Sequence, residues 1–124
     1  MSIESLPPEV RQKAVKYDSL RNMLLKLEAE LRAAESELRE VNEIMDTLKN
    51  LPENIEVYKS VGHVLIKESK DAIYKELEER KELLTIKLQK YKNQVELLRR
   101  QVSESERELK ESLERHGISF EQGS

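Results

Sequence analysis

Val57-Tyr58-Lys59-Ser60-Val61-Gly62-His63-Val64-Leu65-Ile66-Lys67 interrupts two long heptad-repeat stretches of nearly equal length, and its reading decides the fold. Val, Ile, Tyr and Leu favour extended backbone, and a glycine at the first central position of Gly62-His63 suits a two-residue type II′ turn. The pattern predicts a β-hairpin with strands at roughly 56–61 and 64–69; the competing reading is a short apolar loop packed on the end of the helices. A lone two-stranded hairpin is marginal in water and leaves its strand edges unpaired. The chain offers no further strands, so the missing ones come from other subunits, most economically as a shared β-barrel or sheet. Val57, Tyr58, Val61, Gly62, Val64, Leu65 and Ile66 are therefore the expected oligomerisation residues. Tyr58 alternates with Val57 and Lys59, so its ring covers either the barrel interior or a subunit contact.

Upstream, Leu6-Pro7-Pro8-Glu9 puts proline in a first helical turn followed by an acid, a favourable helix start. From there one row at seven-residue spacing reads Val10, Tyr17, Leu24, Leu31, Leu38, Met45, and a second, offset by three, reads Lys13, Leu20, Leu27, Ala34, Val41, Leu48. Eleven of these twelve positions are apolar, a 3.5-residue period that predicts a helix supercoiled around a partner. Asn50-Leu51-Pro52-Glu53-Asn54 ends it, because proline cannot continue the hydrogen-bond ladder.

Downstream, Ser69 is a good N-cap and Asp71 complements the helix dipole in the first turn. The second pair of rows reads Tyr74, Lys81, Leu88, Val95, Val102, Leu109, His116 and Leu77, Leu84, Tyr91, Leu98, Ser105, Ser112. Nine of thirteen are apolar, and most polar positions fall near the C-terminal end. The expected organisation is a single domain over 1–124: helix 1 at about 8–50, a linker and hairpin at 51–69, helix 2 at 70–116, and a flexible tail at 117–124. Each helix of about forty to forty-five residues would be on the order of 60 to 70 Å long.

Equal lengths on either side of a compact connection predict an antiparallel pairing of the two helices, so the fold class is mainly α, a long two-helix antiparallel coiled coil with one β-hairpin at its base. Partner residue numbers then sum to roughly 122, which sets Arg11, Lys13 and Lys16 beside the acidic stretch Glu104, Glu106, Glu108, Glu111. Exposed pairs of this kind contribute only about 0.3 to 0.5 kcal/mol each, so they favour register more than stability. A parallel homodimeric coiled coil is the alternative, and it would leave the insert as a disordered bulge.

Composition narrows the function classes. The 124 residues are 37% hydrophobic and 4% aromatic, too few large apolar side chains for a sizeable globular core, while 38% are charged, as in long helices. With 22 Lys+Arg against 25 Asp+Glu the net charge is −3, which offers no broad field of one sign for nucleic acid or an anionic membrane. Cysteine is absent, removing disulfides and thiolate metal sites. No apolar run reaches bilayer length, and Met-Ser-Ile-Glu-Ser lacks the pattern of a signal peptide, so a cytoplasmic location is expected. Lys87, Lys90, Lys92, Arg99 and Arg100 form a basic cluster near Tyr91. Tyr91 falls on the seam and Glu28, Glu30 and Glu35 should lie alongside, which favours a solvated flank over a nucleic-acid stripe. His63 and His116 have no second ligand at metal spacing. Abundant carboxylates without a dry concave pocket, and no glycine-rich phosphate loop, give no expectation of catalysis or of a cofactor.

Leu51-Pro52, Val57-Tyr58-Lys59-Ser60-Val61-Gly62, Leu65-Ile66-Lys67, Asp71, and Glu76-Leu77 through Glu82-Leu84, with Leu-Pro-Pro-Glu upstream, together resemble the β-type subunits of the prefoldin family. The resemblance spans residues 6 to about 113, and its most specific part is the Tyr-Lys-x-Val-Gly core between two coiled-coil segments. Prefoldin α-type subunits carry two hairpins in this connection; about twenty residues leave space for one. The resemblance implies a hexamer of two α-type and four β-type subunits, with a β-barrel body and coiled-coil arms. It implies an ATP-independent chaperone that captures unfolded proteins at the arm ends and passes them to a group II chaperonin in archaeal or eukaryotic cytosol. An unfolded client exposes apolar surface, so the apolar residues near both termini, Ile3, Leu6, Val10, Leu109, Leu113, Ile118 and Phe120, are the candidate client contacts. Val10 and Leu109 also fit as plain seam residues, and Ile118 and Phe120 as tail. The stretch 117–124 matches no family motif that would assign it to chaperonin docking. The alternative function is a coiled-coil adaptor without chaperone activity.

Overall fold

The computed structural model describes residues 5–118. In chain order it has α1 (Pro8–Lys49), β1 (Val57–Val61), β2 (Val64–Glu68) and α2 (Lys70–Arg115), and the two long helices pack against each other with the hairpin between them. Two compact units are distinguished, Leu31–Lys90 and the flanking Met1–Glu30 with Tyr91–Ser124; both helices contribute to each.

Proline at the first position of α1 loses no hydrogen bond, and the ladder begins with the Arg11 N–H donating to the Pro7 carbonyl at 2.9 Å. The helix closes by tightening: the Asn50 N–H is shared between the Asp46 and Thr47 carbonyls, and Leu51 N–H reaches Leu48 at 3.2 Å before Pro52 stops it. Ser69 caps α2 as expected, its Oγ accepting from the Ala72 N–H at 3.1 Å. The other end of α2 is a Schellman motif. Gly117, at φ +67°, allows its N–H to reach the Glu114 carbonyl and the Ile118 N–H to reach the Leu113 carbonyl at 2.8 Å. Gly117 and Ile118, grouped with the tail on sequence, are thus a cap. The rest of that stretch lies outside the described residues.

All twelve seam positions of α1 are buried or half-buried. Within Leu31–Lys90, Val41, Met45 and Leu84 form a buried cluster on which Leu38, Tyr74 and Leu77 pack. Glu37 accepts from the Arg80 guanidinium across the seam. Within the other unit, Arg99 reaches Glu28 at 3.0 Å and Arg115 reaches Glu9 at 2.7 Å. Numbers rise on one helix as they fall on the other, which is the antiparallel arrangement, and the parallel homodimer is not needed to bury the seam. The acidic stretch behaves differently from the expectation. Glu108 faces Lys13 and Lys16, but Glu104 and Glu111 are held by Arg107 and Glu106 by Lys110 on α2 itself. Carboxylates three or four residues from a cation on the same helix meet it at lower ordering cost than across a seam.

The strands form one antiparallel pair with the register Val57↔Glu68, Tyr58↔Lys67, Lys59↔Ile66, Ser60↔Leu65, Val61↔Val64. Gly62 has φ +60° and His63 does not share the positive sign, as a type II′ turn requires. The apolar-loop alternative falls away.

Candidate functional site

Two apolar surfaces carry the functional interest. The first is the hairpin. Val57 is half-buried, whereas Tyr58, Val61, Val64, Leu65 and Ile66 are exposed, with Leu65 at 69%. Strand alternation splits them between two faces, Tyr58 with Leu65 on one and Val57, Val61, Val64 and Ile66 on the other. Ion pairs fix the base instead of an apolar core. Lys59 Nζ bonds Glu76 Oε1 on α2 at 2.5 Å, Lys67 Nζ bonds Glu56 at 3.0 Å, and Lys70 Nζ donates to the Leu51 carbonyl at 2.7 Å. Glu76 raises the Lys59 pKa above the usual lysine value, and hydrogen bonds from Lys67 and then Tyr58 lower that of Glu56. The strands are thus held by charges and carry exposed apolar side chains on both faces.

The second surface lies in the unit that contains the termini. Val10, wholly buried, packs with Leu109 and Leu113, and Leu6, Ala14, Tyr17 and Ile118 close around them. Five of the seven candidate client contacts, Leu6, Val10, Leu109, Leu113 and Ile118, are therefore brought into one cluster. The other two, Ile3 and Phe120, lie outside the described residues. Val10, Leu109 and Leu113 are covered in this conformation, and only Leu6 and Ile118 are half-open. The cluster is flanked by polar seam residues: Ser105 and Ser112 are buried, and the Ser112 Oγ has no hydrogen-bond partner. Glu9 straps the outside, bonded by Arg115 Nη2 at 2.7 Å with His116 Nε2 3.9 Å from its second oxygen. That guanidinium holds the Glu9 carboxyl below the usual carboxylate range. Ala14 was not legible as a member, being off both seven-residue rows; its small size beside Tyr17 is the only signal.

The two arginines of the basic cluster pair with acids, Arg99 with Glu28 across the seam and Arg100 with Glu96 within α2. Among the described residues no group of three His, Cys, Asp or Glu side chains could hold a metal ion, and no helix is long and apolar enough to cross a membrane.

The prefoldin subunit family matches residues 11–116, nearly the whole span of both helices and the hairpin. The chain belongs to the prefoldin family. It is similar to the prefoldin β subunits of Sulfolobus acidocaldarius and Sulfurisphaera tokodaii, each 39% identical over 113 residues, covering 91% of this chain and 90% of the relative. The crystal structure of the prefoldin β subunit from Thermococcus strain KS-1 superposes with a TM-score of 0.76 at 27% identity, over 88% of this chain and 96% of that one. This prefoldin chain is thus a chaperone subunit of the β type, and membership implies a hexameric assembly with other subunits.

Proposed function

We propose that this prefoldin subunit holds non-native proteins on the apolar side chains clustered near its termini, without nucleotide and without catalysis, and that its hairpin builds the body of the assembly. In this reading the hairpins of four such subunits and two α-type subunits close into β-barrels, the assembly works in the cytoplasm, and held clients pass to a group II chaperonin. The observation that supports the hairpin's part is its double bare face, Tyr58 and Leu65 on one side and Val61, Val64 and Ile66 on the other. The terminal cluster supports capture by its composition. It gathers Val10, Leu109 and Leu113 beside two buried serines, so the helices separate there at lower cost than across an all-apolar seam. Each fully buried aliphatic side chain contributes about 1.5 to 3 kcal/mol, and a client that covers the same surface returns that amount.

One observation favours the adaptor reading: in the closed seam those three residues serve packing alone. Aggregation of a chemically denatured protein, followed by light scattering on dilution, separates the two. The assembled subunit with its α-type partner is expected to suppress scattering at near-stoichiometric ratio. An adaptor would leave the scattering unchanged.

A further inference from the structure

Glu9 immediately precedes Val10, and Arg115 follows Leu113 within the same turn of α2, so the bond from Arg115 Nη2 to Glu9 Oε1, at 2.7 Å, crosses the helices beside the terminal cluster itself. The partners are 106 residues apart in the chain, and the contact exists only while the two helix ends lie together. The neighbouring bridges from Lys13 and Lys16 to Glu108 are longer, at 3.9 and 3.7 Å. Glu104 and Glu111 pair with Arg107 on their own helix, so those bonds survive whether the ends are together or apart.

Inside, the same stretch is weakly held. Ser105 and Ser112 take seam positions, and the buried Ser112 Oγ has no hydrogen-bond partner, so separating the helices returns an unsatisfied hydroxyl to water. We propose that Glu9 and Arg115 form a latch that holds the terminal cluster shut and so acts as a brake on client capture. The latch rests on the capture reading above and adds its control. Closed, the seam covers Val10, Leu109 and Leu113; open, it offers them. A client that binds the open form has an apparent dissociation constant equal to the intrinsic one divided by the open fraction. Exposed ion pairs are weak, and weakness suits a brake: this one shifts the balance about two- to fivefold without sealing the end.

Both residues also sit where helix dipoles favour them, an acid in the first turn of α1 and a base in the last turn of α2. A double-substitution cycle separates the latch from those local effects. The chain has no cysteine, so Ser112→Cys places a unique thiol in the closed seam. Its alkylation by N-ethylmaleimide, read by intact mass of this chain in the assembly with its α-type partner, reports opening. In that background Glu9→Gln and Arg115→Gln are each expected to speed labelling about two- to fivefold, and the two together no more than either alone. Glu104→Gln, which breaks an ion pair within α2, should leave the rate unchanged. With Ser112 restored, the latch substitutions should lower the dissociation constant for a fluorescently labelled, denatured test protein by the same factor. Unchanged labelling, a double substitution that gives the product of the two single effects, or an equal rise with Glu104→Gln would each overturn the latch. Faster labelling with unchanged client affinity would overturn the brake. An unsubstituted assembly that binds no denatured protein would overturn the capture reading, and the brake with it, before any substitution is made.

Discussion

Ser112 is fully buried and its hydroxyl bonds to nothing, a penalty of about 1 to 3 kcal/mol that an apolar side chain avoids. Ser112→Ala should therefore raise stability, by about 1 kcal/mol in urea unfolding followed by circular dichroism, and the same change should slow opening of the seam beside Val10 and Leu109. Gly117 makes the opposite case. Nothing stands within 4 Å of where its Cβ would be, yet its φ of +67° lies where side-chain-bearing residues are strained. Gly117→Ala should cost about 1 kcal/mol through conformation alone, with amide exchange rising at Gly117 and Ile118. Glu9 is a matter of pH. Because Arg115 lowers its pKa in the folded protein, its contribution is complete above the ordinary carboxylate range and is lost as pH falls through that range and below, through the lowered value. In an acid titration Glu9→Gln should be less stable than the parent at neutral and alkaline pH, lose that part of the acid slope, and converge with the parent at the low-pH end. Of these three features only the polar seam position was legible in sequence. Gly117 could be read as a helix stop only once the last turn of α2 was placed, and the partner of Glu9 stands 106 residues away.

The long elements were legible because each obeys a single period. Heptad rows such as Val10 to Met45 report a helix wherever they persist, and Val57 to Ile66 change period abruptly at a proline-bounded junction. Leu84 sits where both readings agree, in the buried cluster with Val41 and Met45. Leu84→Ala should cost about 2 to 5 kcal/mol and lower the urea midpoint accordingly, whereas Leu83→Ala, one residue along and exposed, should leave the monomer's midpoint within about 0.5 kcal/mol. Periodicity does not report where long exposed side chains go. Placing Glu104, Glu106 and Glu111 beside the basic start of α1 followed from register, but Arg107 and Lys110 on their own helix hold them instead. The hairpin yields its own expectation. Leu65→Asp adds charge to a side chain already in water, so helix content of the chain should be unchanged while assembly mass, read by native mass spectrometry, should drop below that of the hexamer.

At the scale of the whole molecule the near-balance of charge, −3 over 124 residues, offers no broad field of one sign for recognition, and the proposed function divides hydrophobic contact between the hairpin and the termini. Family membership was legible from a short core, Tyr58-Lys59-Ser60-Val61-Gly62, because strand-forming residues around a turn glycine stand out between two heptad stretches. The capture residues were less so. An apolar residue near a terminus reads the same whether it packs a seam or meets a client, and Val10, Leu109 and Leu113 are positioned to do the first while being proposed for the second. Removing residues 1–12 and 110–124 together separates assembly from capture in one measurement. The truncated protein, mixed with its α-type partner, is expected to form an assembly of the full subunit number by native mass spectrometry and to lose suppression of light scattering by a denatured protein. Suppression that persists undiminished, or a truncated chain that no longer assembles, would contradict the division of labour between hairpin and termini.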